Sequence, residues 1–421
     1  MPAAGPTLVV VCRDGDAAAL RGDIAGLPAL VRTVLDLQAG GVGRVRLCGD
    51  PAACADAAAL LEGEPRVRVP VGTAGDGAAA APTDGAAVVV LPAGLCLMRD
   101  LARRLPRVAP PAGGVARLEA EPPGAGTVLV AAAPAAAALV AAAQAAPAAE
   151  LVAAGVPVEA LALAAREFAV PARTPAEEAR ATDLSVEALR KPIDGVISRH
   201  LNRPVSLFLT RRLMRTRVHP NHVSIITLLV GLGAGAAVAL GGRWWWAVGG
   251  LLLQLQSVLD GVDGELARLK HLHSRAGEWL DTVSDDLATV VFTAGAGLAV
   301  WRATGRAWPL VVGGVGVAAL IGLQVVYYTL LLTIYRSGDL LSIPWVADVG
   351  RPDLSPATGL KKAVAWLKPV FKHDFIMFAF CVLAIVGRLD AVVVIGSAGG
   401  VITFVRAVNG ALADRRARRN A

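Results

Sequence analysis

The second half of the chain is dominated by apolar stretches at 222–241, 244–265, 279–301, 309–335, 371–388 and 390–410. Each is long enough to cross a hydrocarbon core as a helix, which takes about 20 residues. In lipid every backbone N–H and C=O must be paired inside the protein, so such stretches are confined to helices. The sequence therefore predicts six transmembrane helices. The links GGR, RATGRAW and GRLD lie on one side. The basic links RLKHLHSR and KK…KPVFKHD and the tail ADRRARRNA lie on the other. Positive residues collect on the cytoplasmic side. This predicts a multi-pass protein of the inner (plasma) membrane, with its N-terminal part, its C-terminus and the acidic segment described next all cytoplasmic.

One segment defies the apolar rule. Residues 260–286 read DGVDGELARLKHLHSRAGEWLDTVSDD and carry Asp260, Asp263, Asp281, Asp285 and Asp286. An unpaired charge in hydrocarbon costs several kcal/mol or more. Asp260 and Asp263 are three apart, and Asp281 and Asp285 are four apart. Both spacings put the pair on one helix face. The first pair ends the second expected span and the second pair opens the third. Two antiparallel helices would bring four carboxylates together, and these would repel unless something positive lay between them. Divalent cations, which prefer oxygen ligands, suit that place. Gly264, Ala267 and Gly277 are small enough to admit a flat ligand. Arg268 offers a fork of donors suited to phosphate. The group points to a nucleotide diphosphate held with metal.

Composition excludes other classes. The chain has 421 residues, is 55% hydrophobic and 5% aromatic, and carries a net charge of +7. The basic residues flank apolar segments and few aromatics interleave with them, so no nucleic-acid partner is expected. Cys12, Cys48, Cys54, Cys96 and Cys381 form no CxxC pair, and the N-terminus lacks a basic stretch before its first apolar run. Neither a disulfide framework nor a signal peptide is expected. His271 and His273 lack the soft partners that a zinc site would need.

Before residue 180, Val-rich runs alternate with Ala/Leu-rich helical stretches. TLVVVCR, VGRVRLCGD, AAVVVLPAG and GTVLVAAAP read as strands. ALVRTVLDLQAGG, MRDLARRL and AAALVAAAQ read as helices. This alternation predicts an α/β domain with a mostly parallel sheet. GTAGDGAAAAPTDG and APPAGG read as loops. Residues 182–216 mix apolar and basic side chains and predict one or two amphipathic helices on the membrane surface. The expected organisation is thus multi-domain: an α/β domain at 1–180, an interfacial segment at 181–217, and an all-α membrane domain at 218–415.

The acidic segment resembles the CDP-alcohol phosphotransferases, whose pattern is D-x2-D-G-x2-A-R-x8-G-x3-D-x3-D. Asp260, Asp263, Gly264, Ala267, Arg268, Gly277, Asp281 and Asp285 match it without departure. The resemblance covers roughly residues 190–415. It implies that the four aspartates hold two divalent cations, Mg2+ or Mn2+, that Asp285 acts as general base, and that Gly264, Ala267, Arg268 and Gly277 hold the CDP moiety. It also implies a homodimer. HPNHVS at 219–224 resembles the start of the family's first span, through Pro220 and Asn221, with Ser224 replacing the usual Thr. Asn221 and Ser224 are thereby implied in CDP binding. KPIDGVISRHLNRPVS at 191–206 resembles a subgroup that makes di-inositol phosphate compounds from CDP-inositol. Lys191, Asp194 and Arg199 there, Arg211 beyond it, and Lys372 and His373 of KHDF are candidates for the acceptor site.

In that subgroup the N-terminal domain is a sugar-phosphate cytidylyltransferase. IAGLPALVRTVLDLQAGGVGRVRLCGD resembles a nucleotidyltransferase segment, so the α/β domain is expected to be nucleotidyltransferase-like with a Rossmann-type sheet. Its chemistry looks absent. The family's first strand leads into a Gly-rich loop and a lysine that cradle triphosphate. Here RDGDAAALRGD follows, and the first lysine of the chain is Lys191.

The expected function is transfer of a substituted phosphate from a CDP-linked donor, CDP-diacylglycerol or a soluble CDP-alcohol such as CDP-inositol, to an alcohol acceptor with release of CMP. Two rivals remain at this point: a divalent-cation transporter, since intramembrane acids mark ion paths, and a membrane scaffold that recruits a cytidylyltransferase.

Overall fold

The computed structural model describes residues 5–74, 87–111, 114–122, 126–131, 157–164, 167–191, 194–346 and 372–420. The Ala-rich stretch at 136–144 and the basic link before residue 372 lie outside them. The chain divides into two compact units, Met1–Leu189 and Arg190–Ala421.

The first unit is built on β1 (Thr7–Cys12), β2 (Asp23–Ile24), β3 (Leu27–Pro28), β4 (Arg44–Gly49), β5 (Val71–Ala74), β6 (Val88–Pro92), β7 (Leu95–Leu97), β8 (Val115–Glu119), β9 (Thr127–Ala131), β10 (Val158–Ala160) and β11 (Ala169–Pro171). Seven of them form one sheet in the order β10-β8-β9-β6-β1-β4-β5. TLVVVC is buried along its whole length, as a central strand covered on both faces must be. It pairs in parallel with β4 and β6, while β9 runs antiparallel to both β6 and β8. The helices are α1 (Ala17–Arg21), α2 (Ala29–Gly40), α3 (Pro51–Glu62), α4 (Arg99–Arg104) and α5 (Pro175–Glu187).

Two expectations need correction here. Residues 72–74 were expected in a loop but form the end of β5, with Thr73 opposite Leu47. Pairing with β4 satisfies backbone groups that a glycine-rich composition conceals. The expected interfacial segment began at 181, yet residues 181–187 close α5 in the first unit. A capping box between Thr174 and Glu177 starts that helix, which then runs on through Glu187.

In the second unit residues 196–213 are helical, with a π turn at Ser198–Asn202 leading into α6 (Arg203–Leu213). Then follow α7 (Pro220–Leu240), α8 (Arg243–Leu269), α9 (Arg275–Thr304), α10 (Trp308–Leu330), α11 (His373–Ile385) and α12 (Leu389–Asn420). Among the described residues four helices are long and apolar enough to cross a membrane: Pro220–Leu240, Arg275–Thr304, Trp308–Tyr335 and Leu389–Arg418. The other two expected spans differ for separate reasons. α8 is long enough but carries Gln254, Gln256, Asp260, Asp263 and Glu265. The described part of α11 has 13 residues, a rise of about 20 Å against a core of about 30 Å.

Small residues let these helices approach closely. A Cβ on Gly235 of α7 would lie 2.7 Å from the backbone carbon of Val291 in α9. Gly250 of α8 meets Cys381 of α11 in the same way, at 2.9 Å from its carbonyl oxygen. This close approach of small residues is how helices pack where water does not drive them together.

Candidate active site

α8 and α9 are joined by a tight turn in which His271 takes a positive φ of 52°. Lys270 donates from Nζ to the carbonyls of Thr216 and Val218, both at 2.8 Å. That ties the turn to the chain entering α7. Ser274 caps α9 by accepting from the Gly277 N–H at 3.0 Å, and Pro220 sits in the first turn of α7 behind its cap, His219.

This framework brings one carboxylate oxygen from each of Asp260, Asp263 and Asp281 within 4.8 Å of one another. Oxygens across a magnesium ion lie about 4 Å apart, and across calcium about 5 Å. The three carboxylates thus have the chemistry and the spacing to share a divalent cation. Asp263 is buried, Asp260 half-buried and Asp281 exposed, so the cluster opens on the Asp281 side. Asp263 is held by Ser224 of α7, whose Oγ donates to Oδ2 at 2.6 Å.

Asp285 lies one turn beyond Asp281 on α9. Its Oδ1 accepts from Nε2 of Gln256 at 2.6 Å. Asp286 accepts from the hydroxyl of Tyr328 at 2.8 Å.

The small residues and Arg268 sit around the cluster. A Cβ on Gly264 would lie 3.2 Å from Nη1 of Arg268, so the guanidinium lies close over that glycine. Arg268 Nε is buried with no hydrogen-bond partner among the described residues. A donor left without a partner in a buried place costs free energy, and an anion at the site would relieve it. A Cβ on Gly277 would lie 3.1 Å from Oδ1 of Asn221. Asn221 thus lies against Gly277, which stands one turn before Asp281 on α9, and Ala267 lies one turn from Asp263 on α8.

The acceptor candidates lie on the segment 191–213 and at the start of α11. Asp194 accepts from Arg203 through both oxygens, at 2.9 and 3.0 Å, and from the Lys191 N–H at 3.0 Å. Burial pushes its carboxyl up, but the Arg203 guanidinium outweighs that and holds it below the usual range. Arg199 and Arg211 are exposed on the 196–213 helix, and Lys372 and His373 open α11. The neighbour of those two, Asp374, makes the contact between segments: it accepts from the Ser198 N–H at 2.7 Å. A Cβ on Gly195 would strike its carboxylate.

Sequence reasoning missed four residues. Glu265, fully buried, accepts from Arg203 at 2.6 Å and from Ser206 and Thr210, both at 2.7 Å. Glu265 lies inside the acidic motif and Gln256 one turn before it, while Arg203 and Asp374 lie in the segments 191–206 and 372–375. The available signal was polarity: each is a hydrogen-bonding side chain in a stretch otherwise read as apolar or interfacial.

In the first unit, the loop after β1 is closed on itself. The Arg13 N–H donates to Asp16 Oδ2 at 2.8 Å. Arg21 faces Asp56 at 3.4 Å.

Residues 217–344 match the model of the CDP-alcohol phosphatidyltransferase family. Three curated relatives share the name "Bifunctional IPC transferase and DIPP synthase". The protein from Aquifex aeolicus is 36% identical over 126 residues, covering 30% of this chain and 28% of its own length. That from Thermococcus kodakarensis is 36% identical over 113 residues, covering 27% and 25%. That from Archaeoglobus fulgidus is 37% identical over 101 residues, covering 24% and 20%. The chain thus spans less than a third of the length of the curated relatives it matches. Fixed aspartates at fixed spacing, the carboxylate cluster and the matched segment coincide, and the chain carries a CDP-alcohol phosphatidyltransferase domain over residues 217–344.

Proposed function

We propose that this protein is a membrane phosphotransferase that moves a substituted phosphate from a CDP-linked donor to an alcohol and releases CMP. The observation that carries the reading is the cluster of Asp260, Asp263 and Asp281 beside Arg268, whose buried Nε has no partner among the described residues. Carboxylates answer a cation, and the arginine answers a phosphate.

The triad of Asp260, Asp263 and Asp281 could hold one divalent cation, and we assign a pair, Mg2+ or Mn2+, to these three with Asp285. Bound there, the ions would neutralise charge on the pyrophosphate as it develops on the leaving group. Arg268 binds a donor phosphate, and Gly264, Ala267 and Gly277 leave room for the nucleotide. Asn221 and Ser224 hold the α7 side of the site. Asp285 takes the proton from the acceptor hydroxyl. The hydroxyl oxygen then forms a bond to the β-phosphorus, and the bond from that phosphorus to the CMP oxygen breaks.

The acceptor site is assigned to Lys191, Asp194, Arg199, Arg211, Lys372 and His373. The relatives' name suggests an inositol phosphodiester product; CDP-diacylglycerol is the other donor class. α8 and α11 are read as the fifth and sixth spans, lining the site. The 196–213 helix is read as interfacial, because Leu201, Val205 and Phe208 expose an apolar stripe on it, Phe208 by 55%. The first unit is read as a nucleotidyltransferase-like domain without that chemistry, the assembly as a homodimer, and the membrane as the inner one with the site cytoplasmic.

The test is CMP release by purified full-length protein, supplied with Mn2+, either donor class and a panel of alcohols. Release that chelation abolishes supports the reading. Absence of release from both donor classes across the panel, with protein that binds Mn2+, would sink it.

A further inference from the structure

We propose that Gln256 is a positioning residue that fixes the orientation of the Asp285 carboxylate toward the acceptor hydroxyl. This rests on the reading of Asp285 as the base.

Gln256 lies one turn before Asp260 on α8 and is 2% exposed. A buried amide is costly unless its hydrogen bonds are made. Its Nε2 donates to Asp285 Oδ1 at 2.6 Å, across to α9. The side chain has little freedom to move away. Gly231 of α7 backs it: a Cβ there would lie 3.3 Å from Gln256 Cγ and 2.6 Å from Ala288 Cβ. Three helices thus hold one amide against one carboxylate.

The chemistry of the pair fits the role. Asp285 stands one turn beyond Asp281 on α9, and a carboxylate with neither oxygen fixed would be free to rotate. The amide occupies one oxygen and leaves the other for the proton. A neutral donor costs the carboxylate less basicity than the full charge of a lysine or arginine would. An amide also has no proton to exchange at working pH, so it holds Asp285 without competing as a base. The geometry agrees: Asp285 Oδ1 is fixed by Gln256, one turn before Asp260 on the facing helix.

The test uses full-length protein in detergent and Gln256→Met, which keeps the volume and removes the donor. The expected loss in kcat for CMP release is about 10- to 100-fold, the scale of a misplaced reacting group. KM for the CDP-linked donor should stay within about threefold, because the Asp285 carboxylate remains and only its orientation toward the acceptor changes. In an Asp285→Asn background, Gln256→Met should cost nothing further, since a residue acting only through another shows no independent effect. If Gln256→Met does not fold, Gln256→Asn asks the same question, since it keeps an amide that no longer reaches. Wild-type kcat in the variant overturns the proposal. So does a loss of equal size in the Asp285→Asn background, or a loss carried by KM. An inactive wild type would instead remove the phosphotransferase reading, and the proposal with it.

Discussion

Arg203 and Glu265 lie 62 residues apart and meet at 2.6 Å, with the carboxylate fully buried. The arginine also grips Asp194 through two hydrogen bonds, and Ser206 and Thr210 complete the shell of Glu265. Two charges taken out of water are tolerated only when geometry and hydrogen bonds are this complete. The network fastens the 196–213 helix to α8, two residues from Asp263.

Breaking that pair should be costly. Arg203→Met leaves Glu265 as an uncompensated buried charge, and the loss should be about 3–5 kcal/mol. Thermal unfolding in detergent would measure it. The double variant Arg203→Met with Glu265→Met should recover much of the loss, since an apolar pair of similar volume is tolerated where a lone charge is not. A double variant no more stable than the single one would show that the pair itself stabilises the fold.

Asp260→Asn, Asp263→Asn and Asp281→Asn should each abolish metal-dependent CMP release, because each removes a ligand charge from the cluster. Retained activity of all three at saturating Mn2+ would remove the metal assignment. Asp285→Asn should lower the rate far more than it lowers donor affinity, because a base acts in the transition state. Equal losses in binding and rate would leave Asp285 as a ligand only.

Ser224→Ala should raise the Mn2+ concentration needed for half-maximal rate by about tenfold. It deletes a hydrogen bond from a hydroxyl to the buried Asp263 carboxylate, and bonds to charged groups contribute about 1.5–3 kcal/mol. Ser224→Thr keeps the hydroxyl and should stay close to wild type. A titration in which alanine and threonine behave alike would show that the hydroxyl does not hold the ligand.

The full-length chain should release no pyrophosphate from CTP with inositol-1-phosphate or other sugar phosphates. A triphosphate carries about four negative charges and needs N–H donors and cations around it. The loop after β1 instead uses its Arg13 N–H on Asp16, and Arg21 faces Asp56. Release that Arg21→Ala abolishes would show a divergent but working nucleotidyltransferase site.

The residues legible from the sequence alone are those whose geometry is local. Three and four residues along a helix lie on one face whatever surrounds it, so the Asp260/Asp263 and Asp281/Asp285 pairs could be read from spacing. The alternation of TLVVVC and its successors with helical stretches likewise announced a sheet whose strands lie on a predictable face. The match of eight positions also came from spacing, as did the apolar lengths of α7, α9, α10 and α12.

Tertiary structure decided what depends on partners far away in the chain. It gave Asp285 a partner in Gln256, 29 residues earlier. It bound Glu265 to Arg203 and Asp374 to Ser198, 176 residues apart. It recruited a glycine-rich stretch into β5, because the exposed edge of β4 offered backbone groups that needed pairing. Such partners are chosen by which surfaces pack together, and packing is non-local. A polar residue in an apolar stretch shows that a partner must exist, because burial without one is too costly. Which partner it is follows only from the fold.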